Sequence, residues 1–465
     1  MNSSGRAKLD QVTQILTNLQ NDLKAPKLSV QQRKQLLEQL KVHGRSVENS
    51  DPIFTKNGLQ TLSRYATEEK ASATSQEALR CIANALLLVP ATRQILVDLD
   101  FGPWAAEKLD SESTDDEFLL SRVLFLLTYE TTLDYTNLVQ ENHLADNLNA
   151  AITRHAKRYS KSTPQHARGH TSLMDLMALS ETLKLLFNIT HRSPDLSPSF
   201  SPCIPHIFKI LLRRGIPTPP LKDPTNFLIN ALMNLDLEDT QHTHPGTQTA
   251  IFPSFDPPCN ASHLIAILDK ALTSYPDPEL DATVSPLLTL LRRIYPLAPP
   301  PVQTHMQTLL LPTPAERSKP LGKSDTFFSR LLNLSTSALT PTLRGSISAM
   351  LFELSDKDAA TFVHNVGYGY ASGFLMSNNI PMPESVARAN AETDGVLVNP
   401  ITGQRLDRED VVEQQPMTQE EKEREAERLF VLFERLKATG VMDVQNPVEE
   451  AFRSGRIEEL ADDED

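Results

Sequence analysis

The chain has 465 residues, of which 40% are hydrophobic, and a formal net charge of −14. This charge disfavours nucleic-acid binding, because phosphate contacts need a basic face. No apolar run approaches the roughly 18 residues of a membrane-spanning helix. The three cysteines are too sparse for a disulfide framework or structural zinc, and residues 1–23 lack the apolar core of a signal peptide. We therefore expect a cytoplasmic protein with no metal and no cofactor.

Apolar residues recur at helical spacing from the N-terminus to about residue 354. Strand signals are weak, so the predicted class is all-α. The predicted connectors are polar or rich in proline and lie at 156–170, 193–205, 215–224, 240–260 and 296–320. The predicted helices lie, in order, at 9–19, 36–40, 59–65, 77–89, 95–99, 118–129, 174–190, 227–235, 264–272, 284–295, 327–334 and 343–354.

Three helical segments share one pattern. Glu77–Asn84 and Glu181–Asn188 each give Glu, Leu, a cation, an aliphatic residue and Asn at the same spacing, and Phe227–Asn234 is a degenerate copy. Recurrence of a helical unit indicates a solenoid, in which each helix pair buries its apolar face against its neighbours. Solenoids present long surfaces, so we expect binding to a macromolecule rather than chemistry in a pocket.

The recurring asparagines Asn84, Asn188 and Asn234 have two interpretations. A buried amide needs partners, so each could bridge backbone groups of the adjacent repeat. Alternatively, each could bond the carbonyls exposed at the C-terminal end of a partner's helix. Cations also suit that target, although most surface cations are simply solvated. The candidate cations are Arg64, Arg80, Arg122 and Lys184.

A basic run from Arg154 to His170 is predicted as a solvated loop, with a docking strip for an acidic partner or a nuclear-import signal as the alternative. Signatures of bond chemistry are missing from the chain: there is no Walker A sequence, no G-x-S-x-G and no H-E-x-x-H. Gly367–Gly373 follows no predicted strand, and we interpret its glycines as a break between two helices. We expect no catalytic residues.

The composition changes after residue 376, which we take as the end of a repeat domain covering 1–376. Residues 377–417 contain scattered prolines and are predicted to be an extended linker. Thr418–Glu421 is a capping box that opens an amphipathic helix over 418–440. Its apolar stripe, made of Leu429, Phe430, Phe433 and Leu436, must dock on the solenoid or on a partner. Residues 441–465 form an acidic tail that we expect to be partly disordered.

Several of these segments resemble the synembryn family, the "resistance to inhibitors of cholinesterase" proteins. The resemblance lies in Glu77–Leu86, Leu124–Thr128, Leu183–Thr190 and Gly367–Gly369. It is most specific at Asn399-Pro400-Ile401-Thr402-Gly403, followed by Met417–Glu423. It covers roughly residues 60–452, and the proline-rich character and short loops are similar to a fungal member.

The resemblance implies an armadillo/HEAT-like solenoid that acts on heterotrimeric G-protein α subunits, both as a folding chaperone and as a guanine nucleotide exchange factor. The partner is an α subunit, GDP-bound or nucleotide-free, and we expect a monomer that its partner could recruit to the cytoplasmic face of the plasma membrane. The implied contacts on a concave face, for the α subunit's C-terminal helix, are Arg64, Arg80, Asn84, Arg122, Lys184, Asn188 and Asn234. Those for the Ras-like domain are Asn399, Pro400, Thr402, Gly403, Leu429, Phe430, Phe433 and Leu436.

One departure and one alternative remain. Animal members carry an acidic Ser/Thr cluster before the Asn-Pro-Ile/Val-Thr-Gly motif, whereas Ser385 and Thr393 here lack the run of following acids. The rival interpretation is a passive armadillo-type scaffold or transport adaptor. Such proteins show regular Trp/Asn ladders, but Trp104 is the only Trp here and the Asn ladder is patchy.

Overall fold

The computed structural model describes residues 3–68, 73–159, 172–238, 251–381, 391–393, 396–399 and 401–409, together with 424, 427, 428 and 430. The chain divides into two compact units, Met1–Asp407 and Arg408–Asp465. The described residues of the first unit form nineteen α-helices and one short hairpin. The all-α class is therefore confirmed, with two three-residue strands that the sequence analysis did not predict.

The first ten helices run from the N-terminus to the middle of the chain. They are α1 (Ser3–Lys24), α2 (Val30–His43), α3 (Lys56–Glu68), α4 (Ala73–Leu88), α5 (Ala91–Asp98), α6 (Phe101–Lys108), α7 (Thr114–Leu127), α8 (Tyr135–Gln140), α9 (Leu144–Lys157) and α10 (Leu173–Arg192).

The remaining elements follow a 3₁₀ helix at Pro194–Cys203. They are α11 (Ile204–Arg214), α12 (Thr225–Asn234), α13 (Cys259–Ser274), α14 (Asp277–Ile294), α15 (Pro300–Leu310), α16 (Phe327–Leu334), α17 (Pro341–Leu354), α18 (Ala359–Val366), α19 (Tyr368–Ser377), β1 (Ala391–Thr393) and β2 (Val396–Val398). Shorter 3₁₀ helices cover Asp51–Phe54, Tyr295–Leu297, Glu316–Ser318 and Leu406–Arg408.

Most helices of the first unit stack in two rows. Row A consists of α2, α4, α7, α10, α12, α14 and α17, each packed on the next. Row B consists of α3, α5, α6, α9, α11, α13 and α15, again each packed on the next. The rows also pack on each other, through pairs such as α3 with α4 and α13 with α14. This two-row stack is the arrangement of a helical solenoid, in which the core extends along the stack.

Local sequence explains where key row A helices begin and why they pack. Ser29 and Ser172 form capping boxes with Gln32 and Asp175, which satisfy amides at the starts of α2 and α10. Ser113 caps α7 by accepting a hydrogen bond from the amide of Asp116. Helix α4 is apolar on nearly every side and buries Leu79, Ile82 and Leu86, among others, as expected for a helix with neighbours all round.

The structure corrects several predicted connectors. The segment 296–320 contains α15, which begins at two prolines, and proline is well tolerated in the first turn of a helix. The segment 193–205 is largely a 3₁₀ helix, and 156–170 begins inside α9. Helices α6, α8 and α11 were also not predicted, and α18 and α19 were expected only as two helices without stated bounds on either side of a glycine break. The glycine run does mark a helix break, because Gly367 has φ +82° between α18 and α19.

The first compact unit ends at Asp407 rather than at residue 376, where the sequence analysis placed the end of the repeat domain. Strands β1 and β2 pair antiparallel, with Ala391 opposite Val398, and Val398 forms an isolated bridge with Arg405. Residues from the predicted linker are therefore part of this unit. The predicted helix 418–440 lies outside the described residues except Arg424, Glu427, Arg428 and Phe430, which are helical and exposed. The predicted tail, 441–465, lies outside them entirely.

Among the helices that the structure describes, none combines the length and the apolar character needed to cross a membrane.

Candidate functional site

Six of the seven residues predicted to contact a partner helix lie on consecutive row A helices. Arg80 and Asn84 are on α4, Arg122 is on α7, Lys184 and Asn188 are on α10, and Asn234 is on α12. The order of these helices in row A places the six on four successive neighbouring helices, although up to 154 positions separate them in the chain. The seventh, Arg64, is exposed on α3, a helix of row B.

The two best copies of the sequence repeat build the same ion-pair unit. Glu77 of α4 accepts from Lys41 of α2 at 2.6 Å and from Arg80 on its own helix at 2.7 Å. Arg80 continues to Asp115 at the start of α7, at 3.1 Å. The Glu77 side chain is only 7% exposed, whereas that of Arg80 is 29% exposed. A buried carboxylate therefore anchors a cation at the surface and links three row A helices.

The second unit repeats this geometry two helices further along row A. Glu181 of α10 accepts from Arg122 of α7 at 3.2 Å and from Lys184 on its own helix at 3.1 Å. The carboxylate is again buried, at 6% exposure, and the cations are 32% and 28% exposed. We call the set Lys41, Glu77, Arg80, Asp115, Arg122, Glu181 and Lys184 the row A ladder. Its cations are fixed in place, so a ligand meets them preorganised.

Aromatic rings accompany the ladder, and the sequence analysis did not single them out. The Lys184 ammonium lies 4.8 Å from the ring centre of Phe227 on α12 and 5.8 Å from that of Phe125 on α7. The Arg122 guanidinium lies 5.8 Å from the ring centre of Phe118. These are cation–π distances, and they add a second restraint on each cation. The phenylalanines of α7 and α12 were the available signal in the sequence.

Two of the three asparagines bridge neighbouring row A helices. Asn188 donates to the Thr128 hydroxyl at the end of α7, at 2.7 Å, and Asn234 donates to the carbonyl of Phe187 on α10, at 3.3 Å. Both match the interpretation in which the amide holds the stack together. Asn84 differs: it is half-buried, and its side chain makes no hydrogen bond to any residue in the described part of the chain.

A buried polar cluster joins α7, α9 and α10. Glu117 of α7 accepts hydrogen bonds from His155 of α9 at 2.8 Å and from Thr182 of α10 at 2.9 Å. Burial raises the pKa of Glu117, but these bonds and the charges of His155 and Arg154 outweigh it, so the pKa lies below its usual value. The start of the basic run thus lies on α9, where His155 is buried and Lys157 and Arg158 are exposed, whereas 160–171 lies outside the described residues.

The Asn399–Gly403 motif folds into a tight loop. The Asn399 side-chain oxygen accepts from the amides of Ile401 and Thr402 at 2.9 and 3.3 Å, which is an Asx turn. The Gly403 amide donates to the Asn399 carbonyl at 2.8 Å, with φ +67° at Gly403. Glycine is required there, because this backbone region is strained for other residues.

The loop is bonded to the segment between α15 and α16. Arg317 donates to the Gly403 carbonyl at 3.0 Å, and the amide of Leu321 donates to the Thr402 carbonyl at 3.0 Å. Gln404 donates to the Ser318 carbonyl at 3.1 Å. Burial lowers the pKa of Arg317 to about 10, with the charge of Glu316 opposing the shift. The motif therefore closes the end of the repeat unit.

The residues predicted to contact a Ras-like domain differ in their surroundings. Asn399, Thr402 and Gly403 shape and dock the loop, while Ile401 within it is 64% exposed. Phe430 is helical and 39% exposed. Pro400, Leu429, Phe433 and Leu436 lie outside the described residues. No group of His, Cys, Asp and Glu able to hold a metal ion occurs among the described residues.

The stacked rows and the row A ladder define a helical-repeat protein with a long charged and aromatic surface. The chain belongs to the Ric8 family, described as guanine nucleotide exchange factor synembryn, whose match covers residues 36–456. The family expected from the sequence motifs is therefore confirmed.

Curated relatives carry chaperone names. The chain is 25% identical to chaperone Ric-8A of Mus musculus over 443 residues, covering 88% of this chain and 82% of that protein. It is 32% identical to a synembryn-like chaperone of Schizosaccharomyces pombe over 171 residues, 34% of this chain and only 32% of that protein's length. Among solved structures, an engineered protein aligns with 82% of this chain and 74% of its own at 14% identity, with a TM-score of 0.45.

Proposed function

We propose that this chain is a folding chaperone and guanine nucleotide exchange factor for G-protein α subunits. Family membership and the names of its relatives support the activity. In this proposal the row A ladder and its asparagines receive the C-terminal helix of the α subunit, and the segment after residue 399 contacts the Ras-like domain. The chain performs no bond chemistry.

The observation that carries the assignment of the surface is the unpaired amide of Asn84. Two residues at equivalent positions, Asn188 and Asn234, use their amides to join row A helices. Asn84 is held half-buried at the same repeat position, without a hydrogen bond to the described residues. An unused amide has both a donor and an acceptor to offer. The carbonyls at the end of a partner helix have no partners of their own and can take the donor.

The ladder cations suit the same ligand. A helix C-terminus carries partial negative charge, and a chain that ends there adds a carboxylate. Arg80, Arg122 and Lys184 are each held by a buried carboxylate yet remain about one-third exposed. A bound helix end could interact with these cations in competition with the buried carboxylates. Because the carboxylates already fix the cation side chains, binding would cost little side-chain entropy. The adjoining Phe125 and Phe227 rings offer apolar contact to the same helix.

Exchange follows from differential binding. If the ladder holds the C-terminal helix away from the α subunit's own core, the nucleotide pocket loses the packing on which its loops depend. The chain then favours the nucleotide-free state, and its preference for that state sets the increase in nucleotide release. Protection of an incompletely packed α subunit during folding results from the same preference.

The second contact in this proposal lies in the loop at 399–403 and the segment that follows it. Asn399, Thr402 and Gly403 act by shaping the loop, and Ile401 at its tip is open to a partner. Phe430, in the second unit, is a partly exposed aromatic residue of the predicted stripe that also contains Leu429, Phe433 and Leu436. We assign that stripe to the Ras-like domain.

The activity is tested by measuring the affinity of the purified chain for a Gα subunit in three states: nucleotide-free, GDP-bound, and with GTP and magnesium. We expect the tightest binding without nucleotide and release on addition of GTP and magnesium. Equal affinity in all three nucleotide states would refute the exchange activity and favour a passive scaffold.

The surface is tested with a matched pair of variants, Asn84→Ala and Asn188→Ala. Asn84→Ala should weaken binding of a peptide from the Gα C-terminus by about two- to tenfold, since a net hydrogen bond contributes about 0.5–1.5 kcal/mol. Its melting temperature should stay unchanged. Asn188→Ala should lower the melting temperature, because it leaves Thr128 without its donor. If Asn84→Ala melts early and binds normally, Asn84 belongs to the stack instead.

A further inference from the structure

Two glycines sit in helix interiors without an internal reason. Gly345 lies in the second turn of α17, and Gly373 lies in the middle of α19. A Cβ added at either position would meet no described atom within 4 Å. Glycine destabilises a helix interior relative to alanine, because it loses more backbone freedom on folding. Glycine therefore lowers helix stability at both positions, although the packing of the described residues does not require a glycine there.

Both glycines line one groove between α17 and α19. The groove has a volume of about 680 Å³. Small side chains cover much of its wall, among them Ser348 and Ala349 of α17 and Ser372 of α19. Such a wall lets another main chain approach closely, which is a common reason for glycine at a fixed position.

A mostly buried serine borders the same groove. Ser348 lines it with only 6% of its surface exposed, and within the described part of the chain its side chain accepts and donates no hydrogen bond. The groove is the open space that this side chain borders, and a ligand there can supply the missing partner.

The charge of the groove identifies the kind of ligand. Arg344 lines it, is exposed, and forms no ion pair with any residue that the structure describes. The residues lining the groove include no Asp or Glu, although the whole chain carries a net charge of −14. By contrast, Arg292 and Arg330 on neighbouring helices are both paired with carboxylates. The groove is thus a cationic place on an acidic protein.

We propose that the groove between α17 and α19 binds an acidic peptide segment of a partner protein. The segment's main chain lies against Gly345 and Gly373, one of its main-chain groups pairs with the Ser348 hydroxyl, and one of its carboxylates pairs with Arg344. This site is separate from the row A ladder and does not depend on the activity proposed above.

The test uses a short fluorescein-labelled peptide of Glu and Ala, with a Gln and Ala peptide as the uncharged control, and reads fluorescence anisotropy against the full chain. The Glu peptide should bind more tightly than the Gln peptide. Arg344→Glu should weaken its binding by about tenfold or more, since charge-assisted hydrogen bonds are the strong ones. Arg45→Glu, the same charge change at a distant surface position, should leave binding unchanged.

The glycines provide the sharper readout. Gly345→Ala combined with Gly373→Ala should raise the melting temperature, because alanine is a better helix former than glycine. The same double variant should bind the Glu peptide more weakly. Stability and binding then move in opposite directions. Equal binding of the Glu and Gln peptides to the wild type, unchanged binding by the double alanine variant, or a fall in its melting temperature would each overturn the proposal.

Discussion

Arg317 donates a hydrogen bond to the main-chain oxygen of Gly403, 3.0 Å away and 86 positions later in the chain. The guanidinium is buried and also reaches the carbonyl of Asn365 at the end of α18, at 3.4 Å. One side chain thus joins three separate segments: the 3₁₀ helix at Glu316–Ser318, helix α18 and the Asn399–Gly403 loop.

Replacement of Arg317 by Met should therefore release this loop. A hydrogen bond to a charged group contributes about 1.5–3 kcal/mol, so exchange of the loop amides should accelerate by one to two orders of magnitude. Hydrogen exchange at Gly403 and Arg405, followed by mass spectrometry, measures this. Arg405→Met is the control, because its exposed pair with Asp407 should contribute little. Equal protection in Arg317→Met and wild type would mean that the main-chain bonds alone hold the loop.

Gly403→Ala should be strongly destabilising. The φ of +67° alone costs an L-residue roughly 1–2 kcal/mol, and the new methyl would overlap the side chain of Leu321. Thermal unfolding should show a lower melting temperature. In the double variant with Leu321→Ala, the steric part of the loss should disappear while the backbone part remains. If both single and double variants melt like wild type, the loop does not contribute to the stability of the unit.

Asp22 should make stability depend on pH. Its carboxylate accepts hydrogen bonds from the amides of Lys27 and Leu28, from Arg33 and from Tyr65, at 2.7 to 2.9 Å. Burial raises the pKa of Asp22, but these bonds outweigh burial and lower the pKa to about 2. The folded pKa is thus below the unfolded value of about 3.9, so the carboxylate stabilises the fold above pH 4 and that stability is lost as pH falls toward 2.

The corresponding variant is Asp22→Asn. At pH 7 it should lower the free energy of unfolding by about 2.5 kcal/mol, the equivalent of the pKa difference. The gap to wild type should narrow between pH 4 and pH 2. Urea unfolding of both chains at pH 7 and at pH 3 measures it. A gap that stays constant over this range would show that the Asp22 charge is not the cause.

Truncation separates the contributions of the two compact units. A chain that ends at Glu409 retains the docked loop, so it should melt at the same temperature as the full chain and bind the Gα C-terminal peptide equally well. It should lose exchange on the full α subunit by about tenfold or more, the usual range of coupling between sites. A chain that ends at residue 376 should melt earlier, since it strips Arg317 and Leu321 of their partners. Full exchange by the longer truncation would remove the apolar stripe from the proposed site.

Sequence reasoning found most row A helices, because their apolar spacing is strong and local, and it found the family, because the Asn399–Gly403 motif is specific. It missed α15, whose opening prolines look like a connector although they suit a first helical turn. It also missed the short helices α6 and α8, whose length leaves too few apolar positions to show a period. These are limits of local pattern, since tertiary packing supplies most of the stability of short helices.

For the candidate site, the sequence by itself determined which residue types recur: a Glu, a cation and an Asn in the two best copies of the repeat. Only the tertiary structure decided what each one does. Asn84 and Asn188 have the same place in the repeat, yet Asn188 meets Thr128 on the next helix and Asn84 meets no described partner. The difference arises because a hydrogen bond between residues 60 positions apart depends on which side chain the neighbouring helix places there. The spacing of residues within one helix does not specify this.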